Sequence, residues 1–182
     1  KHGFTASSRA LEAPRGLLQT YSTKHAWHEV TDDLGKRFEI SSNTYKPFAC
    51  GIVIHPSIDA CVQLREAHGL RADDIARIEL LVHPLVLELT GKKTPRTGLE
   101  SKFSVYHACA AGVIFGRAGE VEFSDETVAR ADVVALRDRI SATVDRSIDE
   151  AAADVTVSTH DGRRLHLRID HAIGSLERPM TD

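Results

Sequence analysis

The strongest local constraint on the fold is the segment ADVTVSTHDGRRLHLRID, residues 153–170. It is centred on Asp161-Gly162, a dipeptide that favours a two-residue turn between antiparallel strands. Apolar side chains alternate with polar ones on both sides of this turn: Val155, Val157, Leu165, Leu167 and Ile169. This alternation predicts a β-hairpin with one apolar face. The fold must therefore contain a sheet and a second layer that covers that face.

Three further segments predict the rest of the sheet and its cover. Residues 75–82 form a mostly apolar run that ends before Pro84, which predicts a strand. Residues 56–68 are expected to be helical, because a proline lies in the first turn and Gly69 follows the end. The segment SKFSVYHACAAGVIFG, residues 101–116, predicts an apolar helix whose small residues allow close packing against another element.

The first part of the chain predicts mainly helix. Residues 8–21 and 26–34 carry the signals of two helices, although Pro14 limits the early turns of the first. The segment KRFEIS, residues 36–41, alternates between polar and apolar side chains and is expected to form a short strand.

These elements predict two parts of different character. Residues 1–36 form a helical segment, and residues 37–182 form an α+β domain. The predicted fold class is α+β, with a small antiparallel or mixed sheet that carries helices on one face.

Charge and composition narrow the choice of partners. The 182 residues carry a formal net charge of -3 and 42% hydrophobic residues, as in an ordinary globular domain. No overall positive field would attract nucleic acid or an anionic membrane. No apolar run approaches the roughly 20 residues of a membrane span. Three cysteines without a CxxC pair, and the lack of an apolar signal stretch, predict a reducing, cytoplasmic location.

The segment SNTYKPFACGIVIHPSIDA, residues 42–60, predicts a loop that holds one lysine and leads into a helix. Lys46 lies ahead of the helix that begins at Pro56, where free backbone N–H groups and the helix dipole favour anions. Lys46 is thus a candidate to bind a carboxylate. His55, at the helix start, is a candidate acid or base. A solvated lysine and a capping or packing histidine are the alternatives.

The start of the apolar helix supplies three further candidates. Lys102 and Ser104 lie where the N-terminal backbone of that helix would also attract an anion. Tyr106 could donate a proton in a cleft, and a tyrosine buried in the core is the usual alternative. We therefore add Lys102 and Ser104 as candidate substrate-binding residues and Tyr106 as a candidate proton donor.

Metal and nucleotide chemistry have no support in the sequence. The spacing of Cys50, His55 and Cys61 fits no common zinc pattern, and no second Cys/His pair completes it. There is no GxGxxG, P-loop, GxSxG or HExxH motif. We expect no metal and no other cofactor.

Four segments, taken together, give the chain a resemblance to a known family. They are GFTASSRALEAPRGLL from Gly3, YKPFACGIVIHPSIDA from Tyr45, TGLESKFSVYHACAAGVI from Thr97 and GSLERPMTD from Gly174. In order and spacing they resemble the MmgE/PrpD family, which includes 2-methylcitrate dehydratase, cis-aconitate decarboxylase and iminodisuccinate epimerase.

The resemblance implies a fold and a set of site residues. Members of the family have an all-helical domain and a smaller α+β lid, with the active site in the cleft between them. Residues 1–36 would then be a remnant of the helical domain and residues 37–182 the lid. The lysine and tyrosine that face the cleft match Lys46 and Tyr106, and His55 matches the histidine that closes the first motif. Gly51 departs from the histidine or cysteine that some members carry at that position.

The resemblance also implies a type of reaction. The family acts on small di- or tricarboxylates by dehydration, decarboxylation or epimerisation beside a carboxylate, without a cofactor, and commonly as a homodimer. The chain would be one part of such a lyase or isomerase and inactive by itself. The competing hypothesis is a non-catalytic α+β module that binds a ligand or dimerises.

Overall fold

A computed structural model describes residues 5–24 and 26–181 of the chain. The chain divides into two compact units, Lys1–Asn43 and Thr44–Asp182. The predicted division into residues 1–36 and 37–182 stays a prediction, as does the assignment of the first part to a helical domain. Residues 1–4, 25 and 182 of these parts lie outside the described residues. Among the described residues, no helix is long and apolar enough to cross a membrane.

The first unit contains less helix than its pattern predicts. The helix predicted over residues 8–21 is limited to α1, Leu17–Tyr21, because Pro14 cannot donate a backbone hydrogen bond within the earlier turns. Those earlier residues form separate turns, in which the Gly16 amide donates to the Ala13 carbonyl at 2.7 Å. The helix predicted over 26–34 is also shorter and spans Trp27–Thr31, here called α2.

The strand predicted for residues 36–41 is wrong. Glu39–Ser42 forms a 3-10 turn, in which the Ser41 amide donates to the Phe38 carbonyl at 3.0 Å. A strand needs a neighbouring strand to accept its hydrogen bonds, and local turns satisfy the backbone when none is paired with it. Alternation over six residues is therefore too weak a signal without a partner.

The second unit contains a four-stranded mixed sheet in the order β2-β1-β3-β4. The strands are β1 (Ile75–Val82), β2 (Ile140–Val144), β3 (Ala153–Thr159) and β4 (Arg164–Ile169). β1 pairs parallel with β2 and antiparallel with β3, and β3 pairs antiparallel with β4. These pairings confirm the α+β class, the strand over residues 75–82 and the C-terminal hairpin.

The hairpin loop differs from the predicted turn in one respect. The Thr159 amide donates to the Arg163 carbonyl at 3.0 Å, so the loop comprises residues 160–162 rather than two residues. Gly162 has a φ of 87°, which places the glycine at the left-handed position of a three-residue loop.

The two faces of the sheet have opposite character. The register places Val155 opposite both Leu80 and Leu167, so apolar side chains share one face. On the other face, Arg168 Nη1 lies 2.8 Å from Asp154 Oδ2. The helices therefore cover the apolar face, as predicted.

Two helices form most of this cover. Helix α3 (His55–His68) packs against β3, β4 and the apolar helix α6 (Val105–Phe115). Shorter helices complete the layer: α4 (Pro84–Thr90), α5 (Gly98–Ser101), α7 (Asp125–Ala129) and α8 (Ala131–Arg137). The helix predicted over residues 101–116 is therefore divided, and Lys102 lies between α5 and α6.

Candidate functional site

The loop that carries Lys46 is held by backbone hydrogen bonds to two distant parts of the second unit. The Ala49 amide donates to the Ala118 carbonyl at 2.9 Å, and the Gly51 amide donates to the Lys102 carbonyl at 3.2 Å. These bonds place the loop between the turn before α6 and the turn after it. The second bond connects the loop that carries Lys46 directly to the backbone of Lys102.

A cleft of about 660 Å³ opens beside this loop. Its lining comprises one stretch of the loop and residues from both turns: Lys46, Pro47, Phe48, Ala49, Cys50, Gly51, Leu99, Lys102, Phe103, Gly119 and Glu120. Two predicted residues, Lys46 and Lys102, thus lie at the same cleft. Leu99 and Phe103 add an apolar wall that is exposed to solvent.

The two ammonium groups have different partners. Lys46 Nζ donates to the Cys50 carbonyl at 3.4 Å, which leaves further donors of the group available. Lys102 Nζ lies 2.7 Å from Glu120 Oε2. Glu120 is 78% exposed, so a carboxylate already occupies one side of the cleft without being buried there.

The Cys50 thiol lies within the influence of both ammonium groups. Burial raises the pKa of Cys50 to about 12, and the positive charges of Lys46 and Lys102 oppose that increase. Both ammonium groups therefore act on one point of the loop. Positive charge at this part of the cleft favours an anionic ligand.

Gly51 packs against the end of α4. A Cβ at this position would lie 3.1 Å from Thr90 Cγ2 and 3.7 Å from the Lys102 carbonyl oxygen. A histidine or cysteine here would require Thr90 to move. The departure from the family pattern at Gly51 thus accompanies a tight contact between the loop and the end of α4.

His55 is the first residue of α3 and lies outside the lining of this cleft. It is buried, and its ring meets the Phe48 ring edge to face with centroids 5.2 Å apart. Burial lowers the pKa of His55 to about 4, hydrogen bonding to the Cys50 backbone opposes the decrease, and the Lys46 charge adds to it. The imidazole is therefore neutral at pH 7. Its Nε2 atom has no hydrogen-bond partner within the described structure.

His55 instead lines a smaller pocket of about 300 Å³. That pocket lies between the start of α3 and the C-terminal segment, and it includes Tyr45, His171 and Glu177. The structure therefore brings Lys46 and Lys102 to one concavity and His55 to another on the same loop.

Ser104 and Tyr106 are buried at the start of α6. The Ser104 hydroxyl accepts the His107 amide at 3.1 Å and caps this helix. The Tyr106 ring lies beneath Lys93, whose Nζ is 5.4 Å from the ring centroid. Burial raises the pKa of Tyr106, which keeps its hydroxyl protonated as a donor. Neither residue lines the cleft, and the substrate and proton-donor roles of both stay predictions.

Two charged residues lie beside the candidate residues although no sequence motif predicts them there. Glu120 pairs with a lysine 18 positions earlier, and no motif connects the two. Lys93 belongs to a polar loop between Gly91 and Thr97, and only packing brings its ammonium group over Tyr106. Within the described residues, no group of three His, Cys, Asp or Glu side chains is arranged to hold a metal ion.

The predicted family resemblance can be compared with known proteins and with models of protein families. A comparison with curated proteins found no match. A family model, the MmgE/PrpD C-terminal domain, matches residues 48–182. The match begins two residues after Lys46, includes His55, Lys102, Ser104 and Tyr106, and covers most of the chain. The resemblance is thereby confirmed: the chain belongs to the MmgE/PrpD family, through the C-terminal domain of that family.

Proposed function

We propose that the protein is a cofactor-independent lyase or isomerase acting beside a carboxylate of a small di- or tricarboxylate. The observation that carries this proposal is the position of Lys46 and Lys102 at one cleft. The chain contributes the C-terminal-domain side of the active site. A cytoplasmic location is proposed on the three cysteines without a CxxC pair, and a homodimer on the family membership. Neither nucleic acid nor a membrane is proposed as a partner.

The three candidate reactions share the place at which negative charge develops. Dehydration, decarboxylation and epimerisation beside a carboxylate all place charge on a carbon or on enolate oxygens. A fixed ammonium group beside that position stabilises the charge as it develops. Lys46 is the group we assign to this role, because its ammonium group makes one hydrogen bond, to the Cys50 carbonyl, and keeps further donors for a ligand.

Lys102 is assigned to a second carboxylate of the substrate. In the described structure its ammonium group is paired with Glu120 at 2.7 Å. An exposed pair of this kind contributes about 0–1 kcal/mol, so a substrate carboxylate can replace Glu120 with little loss. A ligand with two carboxylates would then extend across the cleft from Lys46 to Lys102.

Proton transfer is assigned to groups that are neutral at pH 7. The hydroxyl of Tyr106 keeps its proton, because burial raises its pKa. Neutral His55 can accept a proton, but its low pKa of about 4 makes it a weak base. We therefore assign Tyr106 as the proton donor and His55 as the proton acceptor. His55 would have to come closer to the substrate, because it lines the other pocket.

A binding module without chemistry is the second candidate. It is favoured by the separation of the groups: Tyr106 and His55 do not line the cleft that holds Lys46 and Lys102. A carboxylate-binding module would need only the two lysines. Turnover by the full-length protein distinguishes this candidate from the enzyme.

The decisive experiment replaces Lys46 with alanine in the full-length protein. Turnover of 2-methylcitrate, cis-aconitate and iminodisuccinate is measured for the parent protein and for Lys46→Ala. For whichever substrate is accepted, we expect kcat/KM to fall by about 100-fold or more, as for the loss of one well-placed donor. Unchanged turnover of an accepted substrate would remove Lys46 from the mechanism.

Lys92→Ala is the matched control. Lys92 Nζ also pairs with a glutamate, Glu100, at 2.9 Å, but this lysine does not line the cleft. We expect Lys92→Ala to retain full turnover and Lys102→Ala to raise KM. If none of the three substrates is converted but a tricarboxylate binds through Lys46, the module is the correct assignment.

A further inference from the structure

The C-terminal segment of the second unit forms a strap, defined here as residues 171–178, that crosses the start of the Lys46 loop. The Tyr45 amide donates to the Gly174 carbonyl at 2.8 Å. A Cβ added to Gly174 would lie 2.4 Å from the Tyr45 carbonyl oxygen and 3.0 Å from Pro47 Cδ. The strap backbone thus touches the residues on both sides of Lys46, and there is no room for a side chain between them.

A buried carboxylate anchors the strap. Asp59 Oδ2 accepts the Ile173 amide at 2.9 Å and Arg178 Nη1 at 2.7 Å. Its other oxygen, Oδ1, accepts the Gln63 side chain at 2.7 Å. Asp59 is only 4% exposed, and its charge is satisfied by these three partners, as a buried carboxylate requires.

The strap is also closed on itself. The Gly174 amide donates to the Arg178 carbonyl at 2.8 Å, and the Arg178 amide donates to the Ser175 hydroxyl at 3.1 Å. Gly174 has a φ of 91°, a conformation that glycine adopts at little cost. The position of the Gly174 carbonyl is therefore determined by the Arg178–Asp59 anchor.

We propose that the strap positions Lys46, with Gly174 as the contact and the Arg178–Asp59 ion pair as the anchor. The loop is held from both ends, because Asp59 belongs to α3, the helix that follows it. Without the strap, Tyr45 and Pro47 lose their contacts with Gly174, and the backbone at Lys46 is held only from its C-terminal side, through the Ala49 and Gly51 amides. Gly174 and Arg178 act through Lys46 and touch no substrate. The inference depends on the proposed role of Lys46 in carboxylate binding.

The test is a double-mutant cycle in the full-length protein, with tricarballylate as the probe and calorimetry as the measurement. Arg178→Gln shortens the side chain and removes its charge, so the bond from Nη1 to Asp59 is lost. We expect it to weaken binding by about tenfold, since small displacements of a binding group reduce its effect strongly. In a Lys46→Ala background we expect no further loss from Arg178→Gln, because residues that act through one another are not additive. Additive losses, or no loss, would overturn the proposal.

Two matched variants separate positioning from general destabilisation. Arg168→Gln removes a comparable ion pair, at 2.8 Å from Asp154, whose arginine is 44% exposed against 42% for Arg178. Gly162→Ala introduces similar backbone strain to Gly174→Ala, because Gly162 has a φ of 87° and Gly174 one of 91°. It adds no steric clash, since no atom lies within 4 Å of a Cβ at Gly162. Both controls should bind tricarballylate as the parent does, and Gly174→Ala should bind more weakly.

Hydrogen exchange of the Tyr45 amide tests the strap without any ligand. We expect Arg178→Gln to speed exchange at Tyr45 by about tenfold or more while the β1 amides stay protected, as in a local opening. If the parent protein binds no tricarballylate, the proposed function fails and this exchange measurement alone decides whether the strap holds the loop. Unchanged exchange at Tyr45 in both Arg178→Gln and Gly174→Ala would overturn the inference.

Discussion

At the scale of single residues, burial of His55 has a measurable consequence. The unfolded imidazole takes up a proton near pH 6.5, whereas the folded one does so only near pH 4. Above pH 6.5 neither state is protonated, and the contribution of the neutral side chain to stability is complete. As the pH falls from 6.5 to 4, only the unfolded state gains the proton, so stability decreases.

We predict that His55 alone makes the free energy of unfolding fall by about 3 kcal/mol between pH 6.5 and pH 4. His55→Gln cannot be protonated and should reduce the pH dependence, as measured by urea unfolding at a series of pH values. Part of the slope should remain, because burial also lowers the pKa of His107. Replacing the exposed His160 with glutamine is the control, and a slope unaffected by His55→Gln would contradict the prediction.

At the scale of elements, α3 and α6 approach each other at Gly112. A Cβ there would lie 3.3 Å from Ile58 Cγ2 and 3.5 Å from Cys61 Cβ. Ile58 and Cys61 are fully buried, so neither can move into solvent. Close packing of the two helices therefore requires a very small residue at this position.

We predict that Gly112→Val lowers the free energy of unfolding by about 1–3 kcal/mol through overpacking. Gly112→Ala is the graded control: it adds one methyl group, and the better helix propensity of alanine, about 1 kcal/mol, offsets part of the crowding. Chemical denaturation of both variants provides the measurement. Equal stability of the valine variant and the parent would show that the helices do not meet as described.

The elements differ in how far local patterns predicted them. Strand β1 and the C-terminal hairpin follow from alternation and turn residues, and α3 follows from Pro56 and Gly69. Helix α4 also begins at a proline, Pro84, and is followed by Gly91, but it spans only 7 residues. Strand β2 has no such signals, and it is short and half exposed. β2 is a strand because it pairs with β1, some 60 residues earlier, and periodicity over a few residues cannot report that contact.

At the scale of the whole molecule, the hydrophobic core belongs to the second unit. The buried apolar cluster extends from Phe48 to Ile169, and the unit itself spans Thr44–Asp182. A domain of this size buries enough of its surface to fold by itself. The strap contributes through Asp59, whose buried carboxylate would lack its charged partner without Arg178.

We predict that a fragment of residues 44–182 unfolds in one cooperative transition, followed by circular dichroism in urea. A shorter fragment, residues 44–169, lacks the strap and should be less stable by about 3 kcal/mol or more, because removal of one partner leaves a buried charge uncompensated. A non-cooperative transition in the longer fragment, or equal stability of the two, would be incompatible with this account of the core.

The sequence by itself determined the α+β class, the hairpin, the helix that follows the Lys46 loop and the family, because each depends on local periodicity, turn chemistry or short motifs. It also identified Lys46 and Lys102 as candidates to bind an anion. Only the tertiary structure decided that these two lysines share a cleft with Glu120, that His55 lines a different pocket, and that Gly174 packs beside Lys46. The physical reason is that distances between residues far apart in the chain depend on how the sheet, helices and strap pack, and no local pattern encodes them.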